Sequence, residues 1–538
     1  MKLLGKVDKT IFGITVILYA CIFLFILLAP DAAANTINGV MNFTLTTLGF
    51  VYILGFAFII IAFIGLAISK YGKVRLGDEK PEYSFFSWMA MLFVCGLGVG
   101  IVFFGVTEPM YHFMNAPFTD SGTAQAGADA IRTTFFHFGF LPWASYGIAG
   151  LCIAFFLHRK GLPTLMSSSF HPTLGDKIHQ TPGKIIDAFC LIALVCGISM
   201  SLGFASVQFS TGISIQYGIP ESFLLIVIVA AVIAGVAIVS ALSGVSKGIR
   251  ALSNFNVYIV VFFIIFVFIF GPTSFLLQAF FQGIGDLFAG LPWMTFFLDA
   301  YGSTEARVGY DWTGSWTVMY WAWWVAFIPF VGGFLASISK GRTIREYVLA
   351  CTIAPGLLCF VWFAFFGGGA IYMDLFQDRG IGEVIMTQLE SSLFVYLEQL
   401  PISAVTIPLA MFLIVLMIIT SLDSAAYVAG QYSTGGKYIP PKSIRAFWGV
   451  FIALNTVLFV FIGGLSTLRN AAIVLAFPTM IIVILMILNL FKELRANYND
   501  YVDIVKEEEL KEKAEAKLQA QAQAQTQEQA QVMPTSDK

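Results

Sequence analysis

The stretch Trp321-Ala-Trp-Trp-Val-Ala-Phe-Ile-Pro-Phe330 sets three Trp and two Phe within ten uncharged residues. The faces of such rings attract cations through their quadrupole. With no carboxylate beside them, they suit a cation that cannot donate hydrogen bonds, and a quaternary ammonium is one. The competing reading is a Trp-rich packing face. Pro329, Gly332 and Gly333 follow in the same apolar run, where they weaken a helix. A second stretch, Cys95-Gly-Leu-Gly-Val-Gly100, carries Gly at every second position. A helix-packing seam of small residues needs a spacing of three or four. We therefore expect unwinding at Gly96, Gly98 and Gly100, with freed N–H groups at a positive helix end able to hold a carboxylate. A third stretch is Ile419-Thr-Ser-Leu-Asp-Ser424. Thr420 and Ser421 offer hard oxygen ligands to a small cation, or else bond back to their own helix. Asp423 is an ionisable group in an apolar run, functional by default unless a structural partner holds it.

The elements that must position these residues are membrane helices. The chain has 538 residues, of which 58% are hydrophobic and 12% charged, with a mean hydropathy of +0.83. This fits an all-α polytopic membrane protein. A bilayer is crossed by about 20 apolar residues. Twelve such spans fall near 11–30, 49–69, 85–106, 133–157, 185–216, 221–243, 254–271, 315–339, 347–373, 402–430, 446–464 and 470–491. Loop charge tests the count. Lys2, Lys6 and Lys9 precede the first span, and every second loop thereafter is rich in Lys and Arg. The intervening loops carry at most a lone Arg. The alternation obeys the positive-inside rule and places both termini in the cytoplasm. Residues 1–10 then form a cytoplasmic N-terminus, 11–491 the transmembrane domain, and 492–538 a cytoplasmic tail that is charged and then Gln/Ala-rich. Segment 272–314 reads as an interfacial helix.

Spans three and eight carry the helix breakers, and each opens a run of five spans, 3–7 and 8–12. Inverted five-helix repeats place discontinuous helices at matching positions, with solute and ion sites beside them. Other classes find little support. No basic stripe suggests nucleic acid. The seven Cys lie in apolar runs, and the five His show no metal-ligand spacing with Cys or carboxylates. His137 and Asp423 are available to an intramembrane enzyme, but no HExxH, GxSxG or paired-Asp motif accompanies them. The sequence holds no GxxxxGK[ST], and the tail after 497 is too short and polar for a receptor's output domain.

Across residues 5–495 the chain resembles the betaine/carnitine/choline transporter family. The resemblance rests on Gly96-Leu-Gly-Val-Gly100 with Gly105-Val-Thr-Glu-Pro109, on His137-Phe-Gly-Phe-Leu-Pro-Trp-Ala-Ser-Tyr146, and on Tyr320-Trp-Ala-Trp-Trp324 with Pro329-Phe330. Gly341-Arg-Thr-Ile-Arg-Glu346 and Thr420-Ser-Leu-Asp-Ser424 complete it. It implies a leucine-transporter-like inverted repeat, a homotrimer and a plasma-membrane location, a cell inner membrane in bacteria. It implies an aromatic box of Phe138, Trp143, Tyr146 and Trp324, with Trp323 and Phe327 along the pathway and Phe103 as a gate. Many members have Trp where this chain has Phe138 and Phe327. The family's main sodium site maps to the Thr420 and Ser421 side chains and to carbonyls near Val94 and Leu97. A second site of some members maps to Leu194 and Ile198, which cannot ligate. Sodium-independent antiporters of the family carry an Arg in span five and a Met after Pro-Phe in span eight. Here 185–212 holds no Lys or Arg, and Val331 follows Phe330. The expectation is therefore a sodium-coupled symporter of glycine betaine or choline type. The alternatives are a sodium-independent antiporter of carnitine type and a carrier of another onium such as a sulfonium.

Overall fold

The computed structural model describes residues 7–95, 98–243, 246–436 and 439–501. The backbone there is helical, and no strand is found among the described residues. Fourteen helices matter to the site. They are α1 (Lys9–Leu28), α2 (Pro30–Ile68), α3 (Phe85–Cys95), α4 (Val99–Met114), α5 (Ala124–Phe138), α6 (Phe140–Lys160) and α7 (Thr181–Tyr217). The rest are α8 (Phe223–Ser243), α9 (Ser246–Phe270), α10 (Thr273–Thr295), α11 (Met319–Ile338), α12 (Ile344–Gln377), α13 (Ser403–Ser433) and α14 (Lys442–Ala496).

Their surfaces are apolar outward. Leu28 of α1 is 81% exposed and Ile68 of α2 is 77% exposed. Water would not tolerate that much bare hydrocarbon, whereas lipid does, provided the backbone is satisfied within the helix. Inside, sparse polar groups tie helices together. The Tyr19 hydroxyl donates to the Ile192 carbonyl and that of Tyr52 to the Ile473 carbonyl, each at 2.8 Å. Asn455 donates to the Ser199 hydroxyl at 2.9 Å, joining α7 to α14.

Ten helices are long and apolar enough to cross a membrane among the described residues. They depart from the twelve expected spans at named places. The third expected span is divided between α3 and α4, neither of them long enough alone. The seventh is represented by the short apolar stretch Phe255–Phe270, and Thr273–Thr295 qualifies where an interfacial helix was expected. The last two spans run through α14, which is interrupted by non-helical backbone at Gly463 and Gly464.

The breaks are only partly where the sequence suggests. Backbone between α3 and α4 leaves the helix, with Gly98 extended at φ −114°, ψ 161°. Gly96 and Leu97 lie outside the described residues. Gly100, expected to be unwound, is helical in the first turn of α4. Its lack of a side chain serves a close approach, since a Cβ there would run into the Trp323 ring. In the eighth span, Pro329 sits inside a continuous α11 and does not break it. Neighbouring helices shelter the backbone it disturbs. Gly332 lets α11 press against Gly150 of α6. The irregular turn comes earlier, as a π-helical segment at Gly314–Val318. A further break, unforeseen, divides the fourth span at Gly139 (φ −84°, ψ −134°). A Cβ at Gly139 would meet the Phe360 ring and the Phe135 carbonyl.

The basic loops gather at one end of the bundle. There Lys160 pairs with Glu493 at 2.8 Å, Lys340 with Glu79 at 2.6 Å and Arg159 with Asp78. Asp8 pairs with Lys184 at 2.8 Å at the same end. Lys2, Lys6, Lys437 and the tail after 501 lie outside the described residues.

Candidate functional site: an aromatic cavity at the helix breaks

The break at Gly139 ends α5 on Phe138 and starts α6 just before Trp143 and Tyr146. On α11, Trp323 and Trp324 are adjacent, with Phe327 one turn on. These residues line one cavity of ≈ 80 Å³ together with Gly98–Ile101, Ser201, Phe330, Val331, Ile418 and Ser421. Trp324 is its hub. Its ring centroid lies 5.2 Å from Tyr146, 5.7 Å from Phe138 and 6.0 Å from Trp143. All three pairs meet edge to face, and all four rings line the cavity. The Trp324 indole is fixed by donating to the His137 carbonyl at 3.1 Å. The Trp323 indole N–H is buried and has no hydrogen-bond partner among the described residues.

The first turn of α4 forms another wall. Its leading N–H groups, those of Val99 and Gly100, carry the positive end of the helix dipole, while that of Ile101 donates to the Gly98 carbonyl at 3.1 Å. The cavity thus offers π faces to a cation and N–H groups to an anion, which matches a zwitterion with a trimethylammonium head.

Phe103 stands apart from this cavity. It packs on Phe204 at 4.6 Å and, with Phe104 and Phe204, lines a second cavity of ≈ 330 Å³ on the side away from the basic loops. Phe104 and Phe204 approach the Trp323 ring at 5.7 and 5.6 Å. One layer of rings therefore divides the two spaces. On the other side, Phe330 is shared with a third cavity of ≈ 480 Å³ that also holds Asp423, Tyr427 and Arg445. The three spaces follow one another through the bundle, a succession that suits stepwise passage of a solute.

Thr420 and Ser421 lie on α13. Thr420 donates to the Leu416 and Met417 carbonyls at 3.1 and 2.9 Å, and Ser421 to Met417 at 2.9 Å. Both hydroxyls make the local back-bond that competed with ion binding in the sequence reading. The back-bond uses the hydroxyl hydrogen and leaves oxygen lone pairs available. Val94 falls in the last turn of α3, where carbonyls lack helical partners. Leu97 lies outside the described residues.

Sequence reasoning missed two features. Ser201 lines the cavity on the same stripe of α7 as Leu194 and Ile198, one turn further along. The heptad-like step 194, 198, 201 is the signal that could have found it. The second is a buried cluster in which ligand-type atoms of Glu108, His112 and His137 lie within 4.8 Å of one another. The sequence reading found no metal-ligand spacing among the five His. Glu108 and His112 are i, i+4 on α4, but His137 is brought in from α5 by folding.

A polytopic helical bundle with an aromatic cavity at broken helices defines a membrane carrier rather than an enzyme. The model of the betaine/carnitine/choline family transporters matches residues 10–499. The chain is 40% identical to a probable glycine betaine transporter of Desulfitobacterium hafniense (strain Y51), over 91% of this chain and 99% of that protein. It is 38% identical to the glycine betaine transporter OpuD of Bacillus subtilis (strain 168), over 90% and 94%. It is 33% identical to the high-affinity choline transport protein of Escherichia coli (strain K12), over 91% and 72%. The chain belongs to the betaine/carnitine/choline transporter family, whose members are transporters and not enzymes.

Proposed function

We propose that the protein is a secondary active transporter that carries quaternary-ammonium compatible solutes, of the glycine betaine or choline class, into the cell together with sodium. The observation that carries the reading is the convergence of Phe138, Trp143, Tyr146 and Trp324 on one cavity floored by the start of α4. The rings take the onium, and the free N–H groups of α4 take a carboxylate where the solute has one. Trp323 and Phe327 line the path, and Phe103 with Phe204 stands at the gate toward the ≈ 330 Å³ cavity.

Sodium is the co-transported ion in this reading. The hydroxyl oxygens of Thr420 and Ser421 are hard donors with lone pairs to spare, and a carbonyl of the last α3 turn is free to join them. Ser421 also lines the aromatic cavity, which couples ion and solute through one wall. The scaffold is a twelve-span, 5+5 inverted repeat, with α3/α4 opening one repeat and α11 the other. It works as a homotrimer in the plasma membrane, of a bacterium on the evidence of its relatives, with both termini cytoplasmic. The basic loops that share one end of the bundle support that orientation.

The test is uptake of labelled glycine betaine, choline and carnitine into proteoliposomes under an inward sodium gradient, an inward potassium gradient and none. Uptake that needs sodium and is not restored by potassium is expected. Sodium-independent exchange of solute for product would replace symport by antiport. Preference for a sulfonium would change the solute class.

A further inference from the structure

The aromatic cavity has no carboxylate in its lining, yet one lies a single ring behind it. Glu108 of α4 is fully buried. Its Oε2 accepts from the Tyr320 hydroxyl at 2.5 Å, and its Oε1 lies 2.7 Å from His137 Nδ1. His112 Nε2 stands 3.5 Å from the same oxygen, an electrostatic contact rather than a hydrogen bond. The far end of the His112 imidazole is met by a donor, and that of His137 by a hydroxyl that can donate or accept. The Trp312 indole, which can only donate, points at His112 Nδ1 at 3.4 Å, and the Thr317 hydroxyl lies 3.0 Å from His137 Nε2. A neutral His112 held this way turns its N–H toward Glu108. The Tyr320 hydroxyl and the His112 N–H facing this carboxyl offset part of what burial costs its ionised form.

A metal fits these atoms poorly. Two donors of one tetrahedral zinc at about 2.1 Å would sit roughly 3.4 Å apart, whereas Glu108 and His137 are at hydrogen-bond distance. The network leads instead to the solute cavity. The Tyr320 ring packs on Phe138 at 4.9 Å, His137 is the residue before Phe138, and the His137 carbonyl holds Trp324. Arg469 and Glu390 line the ≈ 330 Å³ cavity beyond. No ion pair between Arg469 and Glu108 is found among the described residues.

We infer that Glu108 is a specificity-determining counter-charge, its anion held one ring behind the aromatic box so that the site favours solutes of net positive charge. This rests on the aromatic cavity being the solute site. A net cation gains the full attraction. A zwitterion gains less, because its carboxylate feels the same charge with opposite sign. A unit charge on the order of 10 Å away at an effective dielectric of about 20 is worth roughly tenfold in affinity.

The experiment is binding of choline and of glycine betaine to the purified protein, followed by tryptophan fluorescence, for wild type, Glu108→Gln and Tyr320→Phe. Glu108→Gln keeps hydrogen-bonding atoms and removes the charge. It is expected to weaken choline roughly tenfold and glycine betaine much less. Tyr320→Phe, which removes a hydrogen bond and no charge, should weaken both alike. Equal losses of both solutes in Glu108→Gln, or none, would overturn the counter-charge. His112→Lys leaves Glu108 in place and cancels its charge, so it must give the same selective loss of choline even if Glu108→Gln fails to fold. Should wild type bind neither solute, the cavity assignment itself fails, which is a separate result from a changed choline-to-betaine ratio.

Discussion

The aromatic cavity and the hydroxyl pair of α13 solve opposite problems at neighbouring points of one bundle. In the cavity, rings from α5, α6 and α11 meet edge to face around a shared space. On α13, Thr420 and Ser421 have already spent their hydrogens on the Leu416 and Met417 carbonyls. The first is built by folding, from residues nearly 190 positions apart such as Phe138 and Trp324. The second is built within one helical turn. A site assembled between helices can open and close when helices move. A site assembled within a turn moves as a unit and needs carbonyls from elsewhere, such as the end of α3, to be completed. Ser421 belongs to both regions, since it also lines the aromatic cavity.

The largest effect separating the two regions should come from Trp324→Ala. A desolvated cation–π contact is worth ~2 kcal/mol or more, or roughly thirty-fold in affinity. The substitution also removes the bond to the His137 carbonyl. Trp324→Phe loses that bond but keeps a ring, and should fall between. Binding measured by calorimetry decides, and wild-type affinity in Trp324→Ala would remove the box from the solute site. The concentration of sodium giving half-maximal uptake should change little in Trp324→Phe, since no hydroxyl is touched.

Next comes the pair Thr420→Ala with Ser421→Ala. Alanine is a good helix former, and the lost bonds are local, so α13 should persist. What disappears is the two hydroxyl oxygens proposed above as sodium ligands. The half-saturating sodium concentration should rise by roughly tenfold, and solute affinity should fall at ordinary sodium and partly recover when sodium is raised, because linkage is reciprocal. The readout is uptake against external sodium. A loss that no sodium concentration relieves would assign these hydroxyls to packing.

Much of the site was legible in the sequence because its motifs are local in chain and specific in type. Trp323, Trp324, Phe327 and Phe330 of the ring-rich run line the cavity, as do Gly98 and Gly100. What was not legible depends on neighbours. Pro329 looked like a break and is not one, because α6 presses on α11 at Gly332 and supports its backbone. Gly139 looked unremarkable and is a break, and only a residue without a side chain fits there, because Phe360 occupies the space a Cβ would need. The Glu108–His137 contact joins α4 to α5 across 29 positions, and no periodicity reports such a meeting. Span boundaries blurred for the same reason, since α14 continues past Gly463 and Gly464 with only a kink.

The smallest effect is the one that probes how finely the cavity is fitted. Phe138 is 1% exposed and bounded by Phe363 at 4.5 Å and Tyr320 at 4.9 Å. The larger indole of Phe138→Trp cannot grow toward either ring without the strain of overpacking. It must project into the ≈ 80 Å³ cavity. Trp is the better cation partner by about 0.5 kcal/mol, or roughly twofold, so a compact trimethylammonium should bind slightly tighter. A bulkier head, such as triethylammonium, should bind more weakly, because the added ring takes the space it needs. Calorimetry with the two head groups on one tail makes the comparison. Unchanged binding of both would mean that the indole turns away from the cavity and that Phe363 yields. The box would then be set by the remaining three rings, and the hydroxyl pair on α13 would be the more rigid of the two regions.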